Sequence, residues 1–255
     1  MQTAFVTGGA AGIGKATALE LARREYAVGV LDRDGDGVAA TVAEIEAAGG
    51  RAMAFAGDVS VEDDIVRAIG ATIEQFGPLD AAAACAGVEV YGGIVEMDLA
   101  EWDRALSINL NGVMFTARHA LPSMLERGSG AFVAIASDAG VRAGLDWAPY
   151  NVSKHGVVGL VRSLAVDYGP RGIRSNVVCP AITETPMVDR IFAGGHDDKD
   201  AWAAKIPLGR FARASEVADV ICHLLSDEAS YTNGHVYMID GGNLAGFGEG
   251  EAANA

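Results

Sequence analysis

From end to end the chain alternates short apolar runs with longer segments of helical period, and this alternation limits its possible folds more than any other feature. "TAFVTG" precedes "GKATALELARREY", "AVGVLD" precedes "GVAATVAEIEAAG", and "AMAFAGDV" precedes "EDDIVRAIGATIEQFG". "LDAAAACAG" leads into "LAEWDRALSINLNGVMFTARHALPSMLERG", one long or broken helix, and "GAFVAIAS" leads into "APYNVSKHGVVGLVRSLAVDYG". "IRSNVVCP" and, after the helix "ASEVADVICHLLS", "GHVYMIDGG" complete the series. Strands that are apolar throughout, rather than at every second position, belong to a parallel sheet covered on both faces. The alternation therefore predicts an α/β doubly wound parallel seven-stranded sheet with helices on both faces and right-handed crossovers. A chain of 255 residues, half of them hydrophobic, can fill the core of one such domain. No linker, repeat or low-complexity tract interrupts residues 1–242, which read as a single domain. Residues 183–214 break the rhythm as an irregular insertion, where active-site lids are often found. The small, glycine-rich segment 243–255 reads as a flexible tail.

Charge and cysteine usage narrow the function. A formal charge of −15 disfavours nucleic acid and anionic membranes as partners, and it also disfavours an acidic carrier protein. The three cysteines, Cys85, Cys179 and Cys222, sit in apolar runs with no CxxC spacing, so they read as buried thiols and no metal site is expected. No secretory start and no run of roughly 20 apolar residues is present, so a cytoplasmic protein is expected. His119, His155, His196, His223 and His235 form no ligand pattern; only His196, within the insertion, is placed for a substrate role.

After the first strand, "VTGGAAGIG" sets Gly8, Gly12 and Gly14 in the order G-x-x-x-G-x-G at the mouth of the first helix. Small residues there permit a tight turn and let backbone N–H groups approach a pyrophosphate, assisted by the positive end of the helix dipole. Asp32 closes the second strand, where a carboxylate can accept both hydroxyls of an adenosine ribose and repel a 2′-phosphate. That favours NAD, with NADP less favoured; Arg33 pulls the other way, but Ala11 leaves the glycine loop without a basic residue.

"APYNVSKHG" places Tyr150 and Lys154 one helical turn apart on a shared face. A phenol titrates near 10 and is a poor base at neutral pH unless a nearby cation stabilises the phenolate. Ser137, at the end of the fifth apolar run, can stabilise the developing charge on a substrate oxygen. The intervening "DAGVRAGLDWAP" is long enough to fold Tyr150 back over it. Proton removal from an alcohol, coupled to hydride transfer, is chemistry that this set can perform.

Taken together, "TGGAAGIG", "GDV" at 57–59, "CAG" at 85–87, "NLNGVMF" at 109–115, Ser137, "YNVSK" at 150–154 and "CPAITETPM" at 179–187 resemble the short-chain dehydrogenase/reductase family over residues 3 to 242. The resemblance implies a Rossmann fold and an NAD-dependent oxidoreductase that interconverts a secondary alcohol and a ketone. It implies catalytic roles for Asn109, Ser137, Tyr150 and Lys154, with Tyr150 as acid/base, Lys154 tuning it and holding the nicotinamide ribose, and Asn109 anchoring a water-linked proton path. The implied cofactor contacts are Gly8, Gly12, Ile13, Gly14, Asp32, Asp58, Val59, Cys85, Ala86, Gly87, Tyr150, Lys154, Pro180, Ile182 and Thr185. A homotetramer is also implied. Ala84-Cys85 and Ala181 depart from the family's usual residues. The expected pocket wall is Val88, Glu89, Asp138, Ala139, Trp147, Pro180, Met187, Phe192 and Trp202, which suits a medium-sized, partly polar or cyclic secondary alcohol and equally a sugar derivative, a terpenoid or a hydroxy acid ester. Two other readings stay open: an NADPH-dependent 3-oxoacyl-carrier reductase, and a non-catalytic nucleotide-sensing or scaffold protein.

Overall fold

A computed structural model of the chain describes residues 1–193 and 198–246. Its elements are β1 (Gln2–Thr7), α1 (Gly12–Arg23), β2 (Tyr26–Asp32), α2 (Gly35–Ala47), β3 (Arg51–Ala56), α3 (Glu62–Phe76), β4 (Ala81–Ala84), α4 (Leu99–Leu106), α5 (Gly112–Arg127), β5 (Gly130–Ile135), α6 (Ala148–Tyr168), β6 (Ile173–Pro180), β7 (Thr183–Glu184), α7 (Pro186–Phe192), α8 (Lys199–Ala203), β8 (Ala212–Arg213), α9 (Ala214–Leu225) and β9 (Val236–Ile239). Seven strands form one parallel sheet in the order β3-β2-β1-β4-β5-β6-β9, as the apolar runs predict. The winding reverses between β1 and β4, and ligands of open α/β sheets bind at the carboxyl ends of strands around such a switch point.

Both faces of the sheet are buried along its inner strands, which explains why those strands do not alternate with polar residues, while the edge strands β3 and β9 are partly exposed. Phe5, Leu31, Ala82 and Phe132 face a core shared with α3, α5 and α6. Val6, Val30, Ala83 and Val133 face a second core shared with α1, α2 and α9. The four alanines of β4 have a packing reason. Ala82 stands in register between Phe5 and Phe132, and both rings are fully buried. A larger residue at the sheet centre would compete with those rings for the same volume.

The long segment after β4 is one continuous rod with a wider π-helical turn, Ser107–Asn111, between α4 and α5. Such turns often mark functional positions, and this one carries Asn109. The insertion is less irregular than its sequence suggests. β7 and β8 pair in parallel across it, and α7 and α8 lie between them. His196, and residues 247–255 of the expected tail, lie outside the described residues. Among the described residues no helix is long and apolar enough to cross a membrane.

Candidate active site

The glycine turn is shaped by backbone-to-backbone contact. Gly8 N and Gly9 N donate to Leu31 O at 2.8 and 3.2 Å, which ties the turn to the end of β2. Gly8 has φ +72°, and a Cβ there would stand 2.8 Å from the Ala86 backbone. A Cβ on Gly14 would stand 2.1 Å from the Gly8 carbonyl oxygen, and backbone cannot move aside as a flexible side chain can. Gly14→Ala is therefore expected to destabilise the fold by about 1–3 kcal/mol, in the range of overpacked cores. Thermal unfolding would measure this, and an unchanged midpoint would show that the turn relaxes freely.

Thr7 holds the opposite wall of the turn: its Oγ1 accepts from Cys85 N and Ala86 N, both at 3.2 Å. Helix α1 begins at Gly12 with no side-chain cap on its N-terminus and no acid in its first turn. Those N–H groups and the dipole suit an anionic group. At the rim, Asp32 Oδ2 accepts from Ala10 N and Oδ1 from Asp34 N, each at 3.0 Å. Asp58 is fixed similarly, with Oδ1 accepting from Ser60 N and Ser60 Oγ at 2.8 and 2.7 Å.

The chemical end is built from β5, the turn beyond it and the first turn of α6. Ser137 is extended, and a 3₁₀ turn, Asp138–Gly140, follows it. A Cβ on Gly140 would stand 2.9 Å from Lys154 O, so this glycine lets the serine's turn lie directly on α6. Pro149 opens α6 in its first turn, and Tyr150 and Lys154 then lie on one face, as their spacing predicts. Lys154 Nζ sits 5.6 Å from the centroid of the Tyr150 ring and donates to Ile135 O at 2.9 Å. The Ser137 hydroxyl is within hydrogen-bonding reach of the phenol.

The electrostatics differ from the simple expectation of a phenol lowered by its lysine. Burial pushes the Tyr150 phenol above its ordinary value; the Ser137 hydrogen bond opposes this, and the Glu89 and Asp138 carboxylates add to it. Burial also pushes the Lys154 ammonium down to about 8. The spacing of the pair is legible in sequence, but the loss of hydration at both groups is not. Burial keeps the neighbouring Cys85 and Cys179 thiols neutral, pushed up to about 12 and about 11.

Asn109 is fully buried behind the cavity floor. Its Oδ1 accepts from Val88 N at 2.8 Å, and its Nδ2 donates to Val88 O at 2.9 Å and to Ser153 Oγ at 3.1 Å. The side chain thus ties the π turn to the segment after β4 and to α6.

One cavity of about 760 Å³ joins the two ends. Gly8, Gly12, Ile13, Asp32, Asp58, Val59, Cys85, Ala86, Gly87, Ser137, Tyr150, Lys154, Pro180, Ile182 and Thr185 all line it. Gly14 and Asn109 do not; the first lies beneath the turn and the second behind the wall. Of the expected substrate wall, Val88, Glu89, Asp138, Trp147, Met187, Phe192 and Trp202 line the cavity, whereas Ala139 is packed into the interior at 2% exposure. Sequence reasoning missed Tyr91, Arg104 and Arg190, which also reach the cavity. Edge-to-face aromatic pairs link Tyr91 to Trp147 at 5.6 Å and Trp147 to Tyr150 at 5.8 Å. Phe192 pairs with Trp202 at 6.3 Å on the insertion side. Glu89 is held above its ordinary carboxylate value by burial, with a hydrogen bond to Tyr91 and the charge of Arg190 opposing that. Among the described residues no cluster of histidine, cysteine or carboxylate side chains is placed to hold a metal ion.

The chain is similar to known proteins over most of its length. Residues 8–243 match the family described as Enoyl-(Acyl carrier protein) reductase. The chain is 39% identical over 245 residues to cis-4-hydroxycyclohexanecarboxylate dehydrogenase of Sinomonas cyclohexanicum, covering 96% of this chain and 97% of that protein. It is 37% identical over 251 residues to levodione reductase of Leifsonia aquatica, covering 95% and 94%. A crystal structure of levodione reductase superposes with a TM-score of 0.92 at 35% identity, covering 96% of this chain and 98% of that one. A crystal structure of an actinorhodin polyketide ketoreductase variant with NADPH superposes with a TM-score of 0.92 at 32% identity, covering 95% and 97%. Likeness of this extent, in sequence and in fold, makes the chain a member of the short-chain dehydrogenase/reductase family of oxidoreductases.

Proposed function

We propose that the protein is an NAD-dependent dehydrogenase that interconverts a cyclic secondary alcohol and its ketone, with Tyr150 as the acid/base and Lys154, Ser137 and Asn109 in support. One observation carries the reading: the glycine turn and the Asp32 carboxylate stand at one end of a single cavity, and Ser137, Tyr150 and Lys154 stand at the other. The residues fit a dinucleotide. The turn presents no side chain at Gly8 or Gly12, the N-terminus of α1 is uncapped, and Asp32 is aligned by two backbone N–H groups as a ribose acceptor would need to be. Gly8, Gly12 and Ile13 would hold its pyrophosphate; Asp32, its adenosine ribose; Asp58 and Val59, its adenine; Lys154, its nicotinamide ribose; and Ile182 and Thr185, its carboxamide. Bound, it supplies the hydride acceptor for oxidation, the donor for reduction, and a positive ring in the oxidised form.

The chain's own groups handle the proton. In oxidation, the Tyr150 oxygen takes the proton of the substrate hydroxyl as the hydride leaves the same carbon, and the ketone forms. In reduction, Tyr150 returns that proton. Ser137 bonds the substrate oxygen and holds the reacting carbon in place. Lys154 stabilises the phenolate whenever it forms, and its own lowered pKa lets it pass a proton onward near pH 8. Asn109 keeps Val88 and α6 in register with the π turn.

Ring substrates suit the aromatic wall of Tyr91, Trp147 and Phe192, and the name of the relative from Sinomonas cyclohexanicum refers to a cyclohexane alcohol. Residues 183–214 act as the substrate lid. With three free cysteines and a strongly acidic surface, the protein acts in the cytoplasm. It assembles as a homotetramer through α5 and α6, the second of which exposes Val152 and Val166 at 47% and 75%. Light scattering on a sizing column is expected to give about four times the chain mass. The functional test is a screen of cyclic secondary alcohols with NAD⁺ and with NADP⁺, followed by the absorbance of the reduced dinucleotide. Turnover with NAD⁺ is expected. Turnover confined to NADPH and 3-oxoacyl thioesters would favour the carrier reductase. Tight NAD binding without turnover of any alcohol or ketone would favour the non-catalytic protein.

A further inference from the structure

Asp138 directly follows the serine, and its carboxylate is engaged on three sides. Its Oδ1 accepts the Ser137 hydroxyl at 2.9 Å and Ala139 N at 2.9 Å. Its Oδ2 accepts Arg142 Nε and Nη2 at 3.1 and 2.6 Å. Asp138 is 9% exposed, whereas the Arg142 side chain is 48% exposed, so the arginine reaches in from solvent and partly balances a buried charge. The turn that carries Asp138 rests on the backbone of Lys154 through Gly140 and cannot drift from the tyrosine helix.

A serine hydroxyl has a single proton. Here it is donated to Asp138, so Ser137 presents lone pairs toward the cavity. To donate to a phenolate or a carbonyl oxygen, Ser137 must first give up a charge-assisted bond. The carboxylate also disfavours a second negative charge on the nearby phenol. Both effects resist formation of the phenolate, and Arg142 moderates both.

We infer that Asp138, with Arg142 behind it, is a positioning residue that sets the proton affinity of Tyr150 by holding the Ser137 proton and by placing one buried negative charge beside the site. The inference rests on Tyr150 being the acid/base. The other groups that face Tyr150 are Glu89 from the segment after β4, Cys179 from β6 and Lys154 from α6 itself. Cys179 stays a neutral thiol, so Glu89 and Asp138 are the two negative charges that act on the phenol.

The test is the pH profile of kcat/KM for alcohol oxidation in the full chain, whose acid limb reports the phenol. Asp138→Asn keeps the shape and removes the charge; the limb is expected to move down by about one pH unit. Asp138→Ala also releases the Ser137 proton and is expected to move it at least as far. Arg142→Ala leaves the carboxylate uncompensated and should move the limb the opposite way, to higher pH. A purely structural role would lower the rate at every pH in all three variants and leave the limb in place, and that result overturns the inference. Tyr150→Phe separates the two levels. If that variant keeps its rate, the acid/base assignment fails. If it is inactive while the limbs of the Asp138 and Arg142 variants stay put, only the role of Asp138 fails.

Discussion

Tyr150→Phe is expected to lower kcat for alcohol oxidation by about 10²–10⁴-fold, the span of general acid–base catalysis. The substitution deletes one oxygen and little else. The ring keeps its edge-to-face contact with Trp147 and its place near Lys154 Nζ, so the fold and the cavity should persist. Dinucleotide binding is the control, read by the fluorescence of Trp147 and Trp202, which line the cavity. An inactive variant with near-normal affinity supports the assignment. A variant that keeps more than about a tenth of the rate would place the acid/base elsewhere, because removal of a true general base costs more than that. Glu89 is then the next group to examine, since it is, beside Asp138, one of two cavity carboxyls whose charge acts on Tyr150.

The sheet was legible because a strand buried on both faces shows as an unbroken apolar run, and seven such runs are spaced by helical segments. The glycine turn was legible because positive φ and backbone contact leave few residues that fit. Other features have no local signal. The π turn at Ser107–Asn111 follows no period of its own and emerges only where Asn109 reaches across to Val88. The pairing of Thr183–Glu184 with Ala212–Arg213 joins two-residue strands far apart in the chain, too short to show a pattern. Arg104 and Arg190 sit on helices whose orientation toward the cavity is set by packing, so spacing alone could not bring them in. Asp138 was visible as a wall residue and Arg142 lies four positions on, but the hydroxyl between carboxylate and phenol belongs to the fold. The same holds for the pKa directions of Tyr150 and Lys154, where burial outweighs the proximity that the i, i+4 spacing reveals.

Asp32→Ala is expected to lower kcat/KM for NAD⁺ by about 100-fold or more, while NADP⁺ gains. Two hydrogen bonds from a ribose diol to a carboxylate are each worth about 1.5–3 kcal/mol, and 1.4 kcal/mol is a factor of ten. Removing the carboxylate also removes its repulsion of a 2′-phosphate, and Arg33 on the same rim can then attract that group. The two effects compound in the ratio, so the NAD⁺/NADP⁺ preference should shift by more than either specificity constant alone. The carboxylate also accepts Ala10 N and Asp34 N, so part of the loss could come from a loosened turn rather than a lost diol contact. Asp32→Asn addresses this: it keeps one carbonyl oxygen for the turn, removes the charge, and offers donors to a phosphate. If the turn dominates, the alanine variant loses both cofactors alike and its thermal midpoint falls with them, whereas the asparagine variant stays close to the parent. If the ribose is read directly, both variants lose NAD⁺ selectively and NADP⁺ improves most in the asparagine variant. A preference that stays put in both variants, with folding intact, would mean that Asp32 does not face the ribose and that the choice of dinucleotide is made elsewhere in the cavity.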